Sequence, residues 1–127
     1  MISEETRKSL AADPDGLLTY EYMANHIADL SADDMEALAE NMINVDRTGQ
    51  FVVSAARYLS ATDRELFASP IATLIAAAID KDRERRYLGD LLQAIYGPDY
   101  ASRADELSAA DDNFRRIYKR LFSNSPL

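Results

Sequence analysis

The sequence predicts an all-α protein: a compact multi-helical domain of six or seven helices, arranged as three antiparallel helical hairpins in two layers. Three observations carry that expectation. Apolar residues recur at helical spacing through most of the chain, and no run alternates with the period of a strand. Glycine and proline number four each, too few for an all-β chain that must turn about every ten residues. The third is an internal periodicity. Asp13-x-x-Gly16, Asp46-x-x-Gly49 and then Asp80-x-Asp82 follow one another at intervals of 33 and 34 residues. Self-similarity at that period marks stacked helical hairpins, because one hairpin cannot bury its own apolar face. The hairpin units read 13–45, 46–79 and 80–122 within a single domain over 1–127. A second recurrence, Leu-Ser-Ala-x-Asp at 30–34, 59–63 and 107–111, falls where one amphipathic stretch gives way to the next. The tryptophan of a well-known 34-residue repeat class is missing and no consensus box is matched, so no family is assigned.

Each element has its own justification. Ser3 caps a short helix to about residue 12, on which Ile2, Thr6 and Leu10 make a thin line. Asp13-Pro14-Asp15-Gly16 is a turn by its chemistry: proline fixes φ, aspartate bonds local backbone, and glycine accepts positive φ. Tyr20, Met23, Ile27 and Leu30 form one face of the next helix. Ser31 opens another, with Asp34 returning a carboxylate to its start as a variant capping box, and Met35, Leu38, Ala39, Met42 and Val45 as its buried stripe. Asp46-Arg47-Thr48-Gly49 breaks that helix. Val52, Ala55, Ala56 and Leu59 make the following face, flanked by Phe51 and Tyr58.

Thr62-x-x-Glu65 reads as a complete capping box for a new helix, and at Pro70 either Ser69 caps a further segment or the helix kinks. Residues 71–79 are apolar nearly all round, which places them at the centre of the fold. The seven charged residues 80–86 contain neither glycine nor proline and fit a turn or a continuous helix equally. Leu88, Leu91, Leu92 and Ile95 resume the stripe until Gly97-Pro98 stops it, and 97–106 is a loop. Ser108 caps the last helix, whose core face is Phe114, Ile117, Tyr118 and Leu121, and 123–127 fray.

Composition removes several functions. A chain of 127 residues buries roughly 65% of its unfolded surface around one core. Without cysteine there is no disulfide framework, thiol nucleophile, thiolate zinc site or iron–sulfur cluster. No run approaches the ~20 apolar residues of a bilayer span and residues 1–10 hold no signal-peptide core, so a cytoplasmic protein with no membrane partner is expected. The net charge of −8 is uneven: residues 1–46 carry eleven acidic and two basic side chains, residues 47–127 eleven and twelve. The acidic half repels a polyanion, so no nucleic-acid partner is expected. It would attract a basic protein, or simply keep the chain dispersed.

Candidate sites are few. Asp13 and Asp15 open like a calcium loop, but Leu18 stands where the sixth position needs glycine and Ala24 where the twelfth needs glutamate. His26, the one histidine, lies one turn from Met23 and Leu30 and reads as a half-buried structural residue. A pair of Glu-x-x-His motifs for a di-iron site is absent. Glu36 and Glu40, four apart with Asp33 nearby, read as a solvated face before a metal site. Arg115, Arg116, Lys119 and Arg120 lie opposite the core face of the last helix. Together with Lys81, Arg83, Arg85 and Arg86 they would make a patch for phosphate or an acidic partner if contiguous. Tyr22, turned about 200° from Tyr20, and Tyr96 and Tyr100, around Gly97-Pro98, are candidate contact residues or covers for the core edge.

No catalytic, metal or cofactor residues are assigned and the chain is not read as an enzyme. The expected function is a protein–protein interaction module using Tyr22, Tyr96, Tyr100, Arg115, Arg116, Lys119 and Arg120. The alternatives are an acidic stoichiometric inhibitor of a basic protein, or a small-ligand protein or enzyme with a pocket near His26. A homodimer joining the acidic N-terminal half to the basic last helix of a second copy is a further expectation.

Overall fold

Buried aspartates and serine caps set where the helices begin. The computed structural model of the chain describes residues 2–122; Met1 and the segment 123–127, expected to fray, lie outside them. Among the described residues there are eight α-helices, one 3-10 turn and no strand: α1 Glu4–Ala11, α2 Leu17–Asn25, α3 Ala32–Val45, α4 Gln50–Asp63, α5 Ala68–Lys81, α6 Leu88–Tyr96, the turn Tyr100–Arg103, α7 Ala104–Ala110 and α8 Asp112–Phe122. None is long and apolar enough to cross a membrane. The all-α expectation holds, with eight helices where six or seven were expected. The difference lies at 97–106, where the loop winds into the 3-10 turn and continues directly into α7.

Packing organises the first six helices in two rows. α1, α3 and α5 follow one another in the first row, and α2, α4 and α6 in the second. α2 also packs on α3, and α4 packs most extensively on α5. α8 lies on α5 and α6 and closes the stack, with α7 against it. Equivalent positions of the three units carry the core. Eleven residues before Asp13, Asp46 and Asp82 stand Ile2, Met35 and Ile71; six after them stand Thr19, Val52 and Leu88; ten after them stand Met23, Ala56 and Leu92. All nine are buried. The apolar α5 buries Ile71, Leu74, Ile75, Ala78 and Ile79 and is central, as its composition predicts.

The third repeat sits in a different frame from the one its charge pattern suggests. Its key residue is Asp82, 36 residues after Asp46, while Asp80 is exposed near the end of α5. Residues 80–86 are therefore neither one turn nor a continuous helix: α5 runs to Lys81 and a loop follows from Asp82. Other caps differ too. α4 passes straight through the expected start at Thr62, whose hydroxyl donates to the Tyr58 carbonyl (2.8 Å). α5 begins at Ala68 behind the buried Phe67 and does not restart at Ser69; Pro70 falls in its first turn, where no N–H is needed. Ser108 lies inside α7, and Asp111 caps α8 by accepting the Phe114 N–H at 3.0 Å. Only the first Leu-Ser-Ala-x-Asp segment starts a helix at its serine; the second ends α4, and the third ends α7 while its aspartate caps α8. There Ser31 and Asp34 form the complete capping box. α2 stops at Asn25, so Ile27 and Leu30 reach the core from a turn.

Candidate functional site

Three inter-helix loops repeat one device, and its geometry decides what their carboxylates can do. Asp13, Asp46 and Asp82 are 5%, 1% and 2% exposed. Asp13 accepts the N–H groups of Asp15 (3.1 Å) and Gly16 (2.9 Å) on one oxygen, and the N–H (2.8 Å) and hydroxyl (2.7 Å) of Thr19 on the other. Asp46 accepts Thr48 N–H (3.1 Å) and Gly49 N–H (3.0 Å), then Phe51 N–H (2.8 Å) and Val52 N–H (2.9 Å). Asp82 accepts Arg86 N–H (2.9 Å), Tyr87 N–H (2.7 Å) and Leu88 N–H (2.8 Å). Each carboxylate thus satisfies the free donors at the start of the next helix. Burial pushes the Asp13 carboxyl up, but the bonds from Thr19, Gly16 and Asp15 outweigh it and hold it below its ordinary value. These groups face backbone and hold the fold. No group of three or more His, Asp or Glu with metal-binding geometry occurs among the described residues.

The same loops differ in the residue that reverses the chain. Three positions after each aspartate the backbone takes positive φ: Gly16 at 106°, Gly49 at 92° and Arg85 at 59°. Glycine adopts that conformation freely, whereas arginine has a Cβ that crowds the carbonyl. Arg85 is the one positive-φ non-glycine among the described residues. Its guanidinium donates to the Arg120 carbonyl at the end of α8 (3.1 Å), although the two residues are 35 apart in sequence.

That contact joins two basic segments. The last residue of α5 and the loop after it carry Lys81, Arg83, Arg85 and Arg86; the middle and end of α8 carry Arg116, Lys119 and Arg120. Arg116 also reaches Asp80 at 3.5 Å, linking α8 to the end of α5. Beside this seam lies a cleft of about 240 Å³ lined by Arg47, Thr48, Lys81, Arg83, Glu84 and Arg86. A second cleft of about 280 Å³ is bordered by Ile79, Arg116, Lys119 and Arg120. Arg86 pairs with Glu84 at 2.6 Å, and Arg115 pairs with Asp112. Arg47, Lys81, Arg83, Lys119 and Arg120 make no ion pair among the described residues.

The structure divides the residues singled out from sequence. Arg116, Lys119 and Arg120 come together on the basic face. Tyr96 and Tyr100 instead flank the buried Phe114 edge-on, with ring centres 4.9 and 6.4 Å away, and cover the core. The Tyr96 hydroxyl donates to Asp111 at 3.1 Å; burial first, and then the Asp111 charge, raise its pKa well above the usual phenol range. Tyr22 lies on α2, which does not pack on α8, and its ring rests on His26 at 4.2 Å. His26 is exposed rather than half-buried, since α2 ends before it. Glu36 accepts a bond from Ser69 (2.6 Å), tying α3 to α5, while Glu40 is exposed. Arg47 is the residue that sequence reasoning missed: it belongs to a different unit and reaches the cleft only through stacking of the rows. No family model matches the chain, and no curated protein or solved structure matches it.

Proposed function

We propose that the protein is a protein–protein interaction module that receives an acidic segment of its partner on the basic face formed by the end of α5, the loop after it and α8. The observation that carries this reading is the bond from Arg85 to the Arg120 carbonyl, which makes one surface from two basic segments far apart in sequence. Seven cations gather there in a chain whose net charge is −8, so they are concentrated against the overall charge balance. A local positive field of this kind steers an anionic segment during encounter, and arginine forks then give directional carboxylate contacts.

The experiment is fluorescence anisotropy with a labelled Asp/Glu-rich peptide at low and high salt. Binding that weakens steeply with salt and is lost in the double variant K119E/R120E supports the reading, with E40Q unchanged as a control. Equal binding by wild type and K119E/R120E would remove it.

A further inference from the structure

We infer that the cleft between the loop after α3 and the loop after α5 is an anchor for a phosphomonoester carried by the partner's docking segment. This deepens the interaction reading and rests on it. Two stacked units build the cleft: Arg47 and Thr48 come from one, Lys81, Arg83, Glu84 and Arg86 from the next. Its geometry is therefore fixed by the row packing of α3 on α5 and α4 on α6, not by one flexible loop. Its volume of about 240 Å³ holds a phosphate group with bridging waters.

The charge count favours a dianion. Four cations line the cleft, and Asp82, though at its wall, turns its carboxylate inward to three backbone N–H groups. Glu84 is the one remaining lining carboxylate, and it engages Arg86. Arg47, Lys81 and Arg83 are then left without ionic partners among the described residues. A carboxylate brings one charge and two oxygens; a phosphomonoester brings nearly two charges and three acceptor oxygens, the better complement to several arginine forks.

Backbone geometry points the same way. Where its two sister loops use glycine, this loop holds Arg85 in the left-handed region at φ 59°. Non-glycine residues in that conformation concentrate at functional sites. The reversal sends Arg85 toward the end of α8 while Arg83 and Arg86 line the cleft.

The test uses the whole chain labelled with 15N and three probes: a Gly/Ser-flanked phosphoserine peptide, its unphosphorylated twin, and inorganic phosphate. The phosphopeptide is expected to shift the amide signals of Arg47, Thr48, Arg83 and Arg86, and inorganic phosphate to shift the same signals more weakly. R47A and R83A, both at exposed positions, each weaken phosphopeptide binding about tenfold, as for loss of a charged hydrogen bond. E84Q tightens it. Equal binding of the unphosphorylated twin, unchanged affinity in both arginine variants, or shifts from inorganic phosphate alone would each overturn the inference. Loss of acidic-peptide binding in K119E/R120E with no phosphopeptide effect at the cleft would sink the phosphate anchor and leave the interaction face standing.

Discussion

Replacing Asp46 by alanine tests whether the buried aspartates hold the stack together. The substitution removes both acceptors for the N–H groups of Thr48, Gly49, Phe51 and Val52 at the start of α4. Thr48 and Phe51 can turn to water, but the bonds to Gly49 and Val52 are buried and their donors lose their partner without replacement. Each unsatisfied buried donor costs about 1–3 kcal/mol, and relief of a buried charge offsets part of the sum, so we expect a loss of about 3 kcal/mol. A chain of this length has a total stability of roughly 6–19 kcal/mol, so the loss is a large share of it. D46N keeps one acceptor oxygen but sets an amide NH₂ against two N–H donors, and should recover only part of the loss. Urea unfolding followed by far-UV circular dichroism reads both variants as a lowered midpoint at unchanged slope. A loss below about 1 kcal/mol for D46A, the typical cost of deleting an ordinary N-cap, would refute the argument.

Other expectations follow from the same geometry. The Asp13 carboxyl is held below its usual 3.8, so its stabilisation is complete above that pH and is lost as pH falls through the lower folded value. D13N should therefore flatten the decline of unfolding free energy below pH 3.8, and an unchanged slope in an acid titration would count against the assignment. R85G should relieve about 1–2 kcal/mol of left-handed crowding at the cost of about 0.5–1 kcal/mol of glycine entropy, for a net gain of up to about 1.5 kcal/mol. A lower thermal midpoint in R85G would show that the bond to Arg120 outweighs the strain. L74A, at a fully buried position of α5, should cost about 2–5 kcal/mol in denaturant titration, whereas L17A on exposed surface should stay within about 0.5 kcal/mol.

The legible part of this chain was local chemistry with little competition. Ser3 and Ser31 cap α1 and α3 as read, each accepting the backbone N–H three residues on, and 71–79 could only be central. The Asp13 and Asp46 loops announce themselves through glycine three positions on. The third loop hides because Arg85 takes the glycine's conformation and because Asp80 and Asp82 share one charged run. Thr62 misleads for a different reason: a hydroxyl inside a helix bonds the carbonyl four residues back, as Ser54 and Thr73 also do, so a capping box in sequence need not cap. The tyrosines were ambiguous by nature, since ring burial depends on where Phe114 docks. The continuity of the basic face depends on where α8 lands on α5 and α6, a tertiary fact beyond any local pattern.

The row arrangement has a consequence for motion. α1 packs on α3, and α2 on α3 and α4; no principal packing joins either to α5, α6 or α8. Asn41 ties this first unit down by donating to the Leu10 carbonyl (2.9 Å) and to Thr19 (3.0 Å). In a structure stabilised through neighbours, an end unit can open by itself while the rest stays closed. Amide exchange should then be fastest in α1 and α2 and slowest in α4 and α5. The acidic end can breathe while the basic end keeps its shape, so the two poles of the molecule are separable in time as well as in space.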